Sequence, residues 1–180
     1  MRLLAIADNH FYHKEIIKHC NRPFQDYDEM NAHMIKKWNA VVQSEDRVII
    51  VGDFFWSKAG KEKFDDLLAE LNGVKGLILG NHDGWSKSFY LSKFTFVADR
   101  LDWNQFIFTH YPLKKIPHGK INIHGHTHQY HQRCGREIKA ITKKWDCDRV
   151  CVSVEAIDYE PVVIWKGKSN VSQTTSGTTS

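Results

Sequence analysis

The chain has 180 residues, 42% of them apolar and 26% charged, with a net charge of +4. This balance fits one well-packed globular domain and excludes a disordered or fibrous chain. No apolar run approaches the roughly 20 residues of a membrane span, and the 25 Lys and Arg are scattered, which mildly favours anionic substrates without establishing nucleic-acid binding.

The N-terminal MRLLAIAD reaches an acid at position 8 with no small-residue cleavage pattern behind it, so it reads as a first strand. LLAIA (3–7), RVIIV (47–51), GLIL (76–79), FIF (106–108) and INI (121–123) are short and rich in branched residues, the mark of buried strands. Between the first two, Met30, Met34, Trp38 and Val41 form one face of a helix over about 27–43, with Asp26 as N-cap and Glu29 three residues on. Phe64, Leu67, Leu68 and Leu71 predict a second helix over about 58–71, stopped by Asn72-Gly73. Strand, helix, strand, helix, strand argues for an α/β sheet. Strand-like runs near 94–98, 104–109, 121–124, 149–154 and 162–165 then extend or face that sheet. A single domain over 1–168 is expected. The Ser/Thr-rich residues 169–180 read as a disordered tail or cloning remnant.

Cys20, Cys134, Cys147 and Cys151 lack the paired spacing of a structural zinc site and read as thiols in a reducing cytoplasm. Histidine is different. Eleven of them is about three times typical usage and asks for a metal or acid-base explanation.

Each of the five apolar runs ends within a few residues of a side chain able to bind a metal. The endings are Asp8-Asn9-His10, Gly52-Asp53, Gly80-Asn81-His82-Asp83, Thr109-His110 and the histidines of 124–128. Singly, each reads more readily as a turn, a cap or a hydrogen-bonded histidine. Jointly they point to one place, because ligands of α/β sheets gather beyond the carboxyl ends of the strands. Carboxylate, amide and imidazole donors suit divalent Mn²⁺, Fe²⁺, Zn²⁺ or Ni²⁺. Seven candidate ligands are too many for one tetrahedral ion, so two ions roughly 3.5–4 Å apart sharing a carboxylate are expected.

In this order, Asp8-x-His10, Gly52-Asp53, Gly80-Asn81-His82-Asp83, His110 and Gly125-His126-x-His128 resemble the calcineurin-like metallophosphoesterases, over residues 1 to about 130. His10-Phe11-x-His13 with Cys20-Asn21-Arg22-Pro23-Phe24 is similar, more narrowly, to small stand-alone bacterial and phage members. The resemblance implies a four-layer αββα sandwich, two central mixed sheets flanked by helices, with two divalent ions at one edge, Mn²⁺ foremost and Ni²⁺, Fe²⁺, Zn²⁺ or Mg²⁺ as alternatives. Asp8, His10 and His128 would hold one ion, Asn81, His110 and His126 the other, and Asp53 would bridge them. A hydroxide between the ions would attack phosphorus in line, with His82 as general acid oriented by Asp83. Gly125 ends the strand near His124 and turns 125–128, leaving His124 and His131 as supports or bystanders.

The chain departs from the protein serine/threonine phosphatases of this family. GDFFW (52–56) lacks their second Asp and Arg-Gly pair, and Leu79 stands where they place an arginine. A large capping domain has no room, so an open site that tolerates a diester is expected. The leading expectation is a phosphodiesterase or phosphomonoesterase acting on a small nucleotide-like phosphoester. A nuclease using Lys114, Lys115, His118 and Lys120 as a basic groove, a protein phosphatase and a non-catalytic metal-binding scaffold are the alternatives. Three further residues are substrate candidates: Arg22 for a phosphate, His13 one helical turn beyond His10, and Trp56 for stacking on a base, each with a plain structural role as its alternative. The oligomeric state is open.

Overall fold

The structure is a computed structural model that describes residues 1–128 and 148–167. The first half runs β1 (Arg2–Ile6), α1 (Lys14–His19), α2 (Tyr27–Val41), β2 (Arg47–Val51), a 3₁₀ turn (Ser57–Ala59), α3 (Lys61–Glu70), β3 (Val74–Ile78) and α4 (Lys87–Leu91). The second half runs β4 (Val97–Ala98), β5 (Arg100–Trp103), β6 (Phe106–Thr109), β7 (Ile121–His124), β8 (Arg149–Cys151), a 3₁₀ turn (Val154–Ala156) and β9 (Val162–Lys166).

The long elements follow their sequence signals. Met30, Met34 and Trp38 form the buried face of α2, and the Asp26 carboxylate accepts the Glu29 N–H. Glu29 in turn accepts from Gln25 N–H, closing the cap one residue earlier than a standard capping box. The helix expected over 58–71 is split, because Gly60 takes φ +99° and separates the 3₁₀ turn from α3. The expected strand over 149–154 ends at Cys151 and passes into a turn. At six and five residues, α1 and α4 are too short to show helical periodicity. The charged RLDW of β5 gave no strand signal, and it forms a hairpin with β6.

Two mixed sheets result, with orders β4-β3-β2-β1-β9 and β5-β6-β7-β8. Because β1, β2, β3 and β4 are parallel and step one way across the sheet, right-handed crossovers put α2, α3 and α4 on one face. The second sheet closes the other face, where Trp103 of β5 meets Trp165 of β9 edge to face at 5.5 Å. The β7 to β8 connection lies outside the described residues, as does the tail 169–180. No described helix is long and apolar enough to cross a membrane.

At their carboxyl ends the sheets are tied together. Ala7 N–H donates to Val152 O at 2.8 Å and Val154 N–H to Ala7 O at 3.1 Å, so the loops after β1 and β8 share one edge. The parallel pairs β1–β2, β2–β3 and β6–β7 bring their following loops to the same edge.

The opposite end is fixed by Asp46. Its carboxylate accepts from Arg2 N–H at 2.9 Å, the Arg2 guanidinium and Gln43 N–H at 3.0 Å, while its carbonyl accepts from Val74 N–H at 2.8 Å. One residue thus sets the register of β1, β2 and β3. Burial would raise the Asp46 pKa, but hydrogen bonds from Arg2 and Gln43 outweigh it and hold the group at about 2, below the ordinary 3.8. A depressed carboxyl stabilises the fold above its unfolded pKa and loses that effect as pH falls through the folded one. Asp46→Ala is therefore expected to lower unfolding free energy by about 2 kcal/mol at neutral pH. In urea titrations, the gap between wild type and variant should close between about pH 4 and pH 2.

Candidate metal centre

The loop after β1 runs beside the loop after β2, with Asp8 N–H donating to Gly52 O at 3.0 Å and His10 N–H to Asp53 O at 2.9 Å. Asp8 Oδ2 accepts from Ser153 Oγ at 2.6 Å and His126 N–H at 2.9 Å. Its Oδ1, like His10 Nε2, is buried with no hydrogen-bond partner. His128 Nε2 lies 3.9 Å from that oxygen, and the His10 and His128 rings are 5.6 Å apart. Asp8, His10 and His128 each present a donor atom within 4.8 Å of the others. Buried acceptors left bare are costly unless a cation meets them, so this donor set fits a metal ion.

A second group joins Asp53, His110 and His126, again within 4.8 Å. Asn81 Oδ1 is 3.0 Å from His110 Nε2. His110 Nδ1 lies 2.9 Å from Val51 O; a carbonyl can only accept, so Nδ1 carries the proton and Nε2 turns its lone pair to the site. Asp53 stands between the groups. Its Oδ1 accepts His82 N–H at 2.7 Å, while Oδ2 is 3.6 Å from His10 Nε2 and 3.3 Å from His110 Nε2.

The backbone at this edge is unusual. Asp8, His10, Asp53, His126 and His128 all have φ between +47° and +68°, the left-handed region that costs a non-glycine residue about 1 kcal/mol or more. Such a residue at a strand end turns the chain sharply and aims its side chain back over the edge. Gly125 is required by close approach: a Cβ there would lie 2.5 Å from Asp8 Oδ2 and 2.7 Å from Ala7 Cβ.

Electrostatics follow from burial and from the mixture of charges. Burial raises the Asp8 carboxyl to about 6 and drives His10 well below its ordinary value. Burial also lowers His126. For Asp53, burial opposes ionisation, yet the His110 hydrogen bond and the His110 and His10 charges hold it at about 2. Burial works against a charged His110, but Asp53 reverses this and raises it. His128 likewise rises to about 10 against burial, through its hydrogen bonds to Cys20 and Glu155 and the charges of Glu155 and Asp8. Ligating groups must be deprotonated to bind a metal, so uptake of an ion here would depend on pH.

His82 is exposed at the rim, its ring 5.3 Å from that of His10. Asp83 does not orient it. The Asp83 carboxylate accepts the N–H groups of Gly80 (2.7 Å), Asp53 (3.0 Å) and Phe54 (3.2 Å), joining two ligand loops, and burial pushes it up to about 7. Arg22 is also not placed for a phosphate: it is 4% exposed and bonded to Asp8 O, Asn9 O and Glu155. His13 is the N-cap of α1 and does not share a helix with His10, because φ at His10 is +51°. Its Nδ1 is 3.4 Å from His10 Nδ1, and its ring stacks on Trp56 at 4.0 Å and 1°. Burial lowers His13 to about 4. The Trp56 ring, already covered by His13, also has Lys58 Nζ 5.3 Å from its centre. His124 is buried with Nδ1 2.9 Å from Gly125 O, a support, while His131 lies outside the described residues. Lys120 Nζ donates to Asn104 O.

Sequence reasoning missed Tyr111, Ser153 and Glu155. The Tyr111 hydroxyl donates to Asn81 Oδ1 at 3.1 Å, and its ring lies 4.2 Å from that of His126. Ser153 and Glu155 follow the β8 strand, and the rule that polar residues at strand ends converge would have found them had it been extended to a sixth strand.

Fold and donor set together describe a metal-binding α/β protein. Residues 1–165 match the family model described as calcineurin-like phosphoesterase. The chain belongs to this family of metal-dependent phosphoester hydrolases. It is 38% identical over 164 residues to an uncharacterized protein of Methanocaldococcus jannaschii, covering 89% of this chain and 86% of that one. It is 28% identical over 160 residues to the gene 66 protein of Mycobacterium phage L5, covering 68% and 75%. A crystal structure of a protein of unknown function from Aquifex aeolicus shares the fold at TM-score 0.66 and 24% identity, over 90% of this chain and 95% of that one.

Asp83→Ala leaves three backbone donors without their acceptor and is expected to lower unfolding free energy by about 3 kcal/mol in urea titrations with chelator present. A variant that loses turnover at unchanged stability would restore the His82-orienting role.

Proposed function

We propose that the chain is a dinuclear phosphodiesterase acting on a small nucleotide-like phosphoester. The observation that carries this reading is Asp53 Oδ2, within 3.6 Å of His10 Nε2 in one donor group and 3.3 Å of His110 Nε2 in the other. Asp8, His10 and His128 would hold one ion and Asn81, His110 and His126 the other, with Asp53 available to both. When bound, the ions supply Lewis acidity that polarises the phosphoryl group and acidifies water. Oxygen and imidazole donors without a thiolate suit Mn²⁺.

The remaining chemistry falls to exposed residues. Asp53 accepts the backbone N–H of His82 and so sets where that residue leaves the loop. The exposed His82 imidazole donates a proton to the departing oxygen. Asn81, His82 and Tyr111 are all exposed, so the rim leaves room for groups on both sides of phosphorus, as a diester needs. The 53% exposed Tyr111 ring offers a face for a base.

Chelation should abolish hydrolysis and Mn²⁺ should restore it, in a screen crossing Mn²⁺, Ni²⁺, Zn²⁺ and Mg²⁺ with monoester, diester and cyclic-nucleotide substrates. Activity confined to monoesters would overturn the diester reading. His82→Ala should reduce kcat by about 10²–10⁴-fold on a diester with a poor leaving group and far less on a nitrophenyl ester. Asp53→Ala should carry neither ion by elemental analysis, and retention of two ions per chain would refute the shared carboxylate.

A further inference from the structure

Behind the first donor group lies an arrangement of which the proposed chemistry uses only His128. Cys20, His128 and Glu155 present donor atoms within 4.8 Å of one another, the spacing of a metal site. A cation already stands beside it. Arg22 donates from Nε to Glu155 Oε1 at 2.8 Å, and its Nη2 lies 2.7 Å from the same oxygen, with the arginine side chain fully buried. A second cation at Glu155 would meet that guanidinium at close range in a poorly solvated place, where like charges repel strongly.

The same guanidinium reaches the loop after β1. Nη2 donates to Asp8 O at 2.7 Å and Nη1 to Asn9 O at 2.8 Å. These carbonyls belong to the segment in which Asp8 and His10 hold left-handed backbone, a conformation that persists only where surroundings enforce it. On its other side, Glu155 places both oxygens 3.0 Å from His128 Nδ1. A carboxylate can only accept, so Nδ1 carries the proton and Nε2 is left to face Asp8 Oδ1.

We infer that Arg22 and Glu155 form a buried clamp that positions all three ligands of the first metal group: Arg22 through the backbone of Asp8 and Asn9, and Glu155 through the Nδ1 of His128. Both are positioning residues and touch no substrate. The geometry of a carboxylate behind a ligating histidine raises the basicity of that histidine and fixes its ring. One arginine therefore joins two ligand loops that lie more than a hundred residues apart in sequence. The inference rests on the reading of Asp8, His10 and His128 as ligands of one ion.

The test is a two-step Mn²⁺ titration against a competing chelator, with wild type, Glu155→Gln and Asn81→Ala. Glu155→Gln should weaken one binding step by about 10–100-fold and leave the other unchanged. Asn81→Ala, in the other group, should weaken the other step. Equal weakening of both steps by Glu155→Gln, or of neither, overturns the clamp. Wild type that takes up no divalent ion would instead overturn the underlying metal reading.

A second measurement needs no variant to fold. In Zn²⁺-loaded wild type labelled with ¹⁵N-histidine, the His128 proton should sit on Nδ1 and exchange slowly, with Nε2 unprotonated. A proton on Nε2 would refute the role of Glu155 even if every variant proved unstable.

Discussion

The architecture of the active edge depends on placing two carboxylates, Asp8 and Asp53, almost wholly out of water and within reach of four imidazoles. An ionised carboxylate in such a place is costly unless a positive charge meets it. Part of each carboxylate is satisfied by the protein: Asp8 Oδ2 by Ser153 and His126, Asp53 Oδ1 by His82. Of the other oxygens, Asp53 Oδ2 faces His10 and His110, while Asp8 Oδ1 has no hydrogen-bond partner. The fold thus carries a built-in demand for cations at one point of its surface.

Meeting that demand with the right geometry requires a rigid backbone. The parallel strands deliver their loops to one edge, and left-handed residues immediately after them turn the ligands inward. Cross-links between loops keep these conformations in place: Asp83 joins the loops after β2 and β3, Gly125 allows the last histidine loop to approach Asp8, and Ala7 ties the two sheets. Sites set on short, cross-braced strand ends hold their geometry without rearranging when charge develops.

The distribution of exposure matches a division of labour. Asp8, His10, Asp53 and His110 are buried and His128 is half-buried, whereas Asn81, His82 and Tyr111 stand at the rim. A substrate therefore meets an aromatic face and a proton donor before it meets the deeper donors.

The strands and the long helices were legible because burial imposes periodicity: LLAIA and RVIIV are continuous apolar runs, and α2 repeats every three to four residues. The family motifs imply a partition of ligands, His128 with Asp8 and His10 and His126 with Asp53 and His110, and in each of these groups the donor atoms lie within 4.8 Å of one another. In INIHGHTHQYH the strand ends at His124, as Gly125 led one to expect, and positive φ at His126 and His128 puts these two histidines in different donor groups. A charged side chain in a motif says nothing about whether it faces substrate or backbone: Arg22 is engaged with Asp8 O, Asn9 O and the Glu155 carboxylate, and Asp83 with three backbone N–H groups. The sequence by itself determined which residue types follow each buried strand, because that follows from local pattern. Only the tertiary structure decided which of them meet, because hydrogen bonds between loops as distant as Asp8 and His126 depend on how the sheets pack.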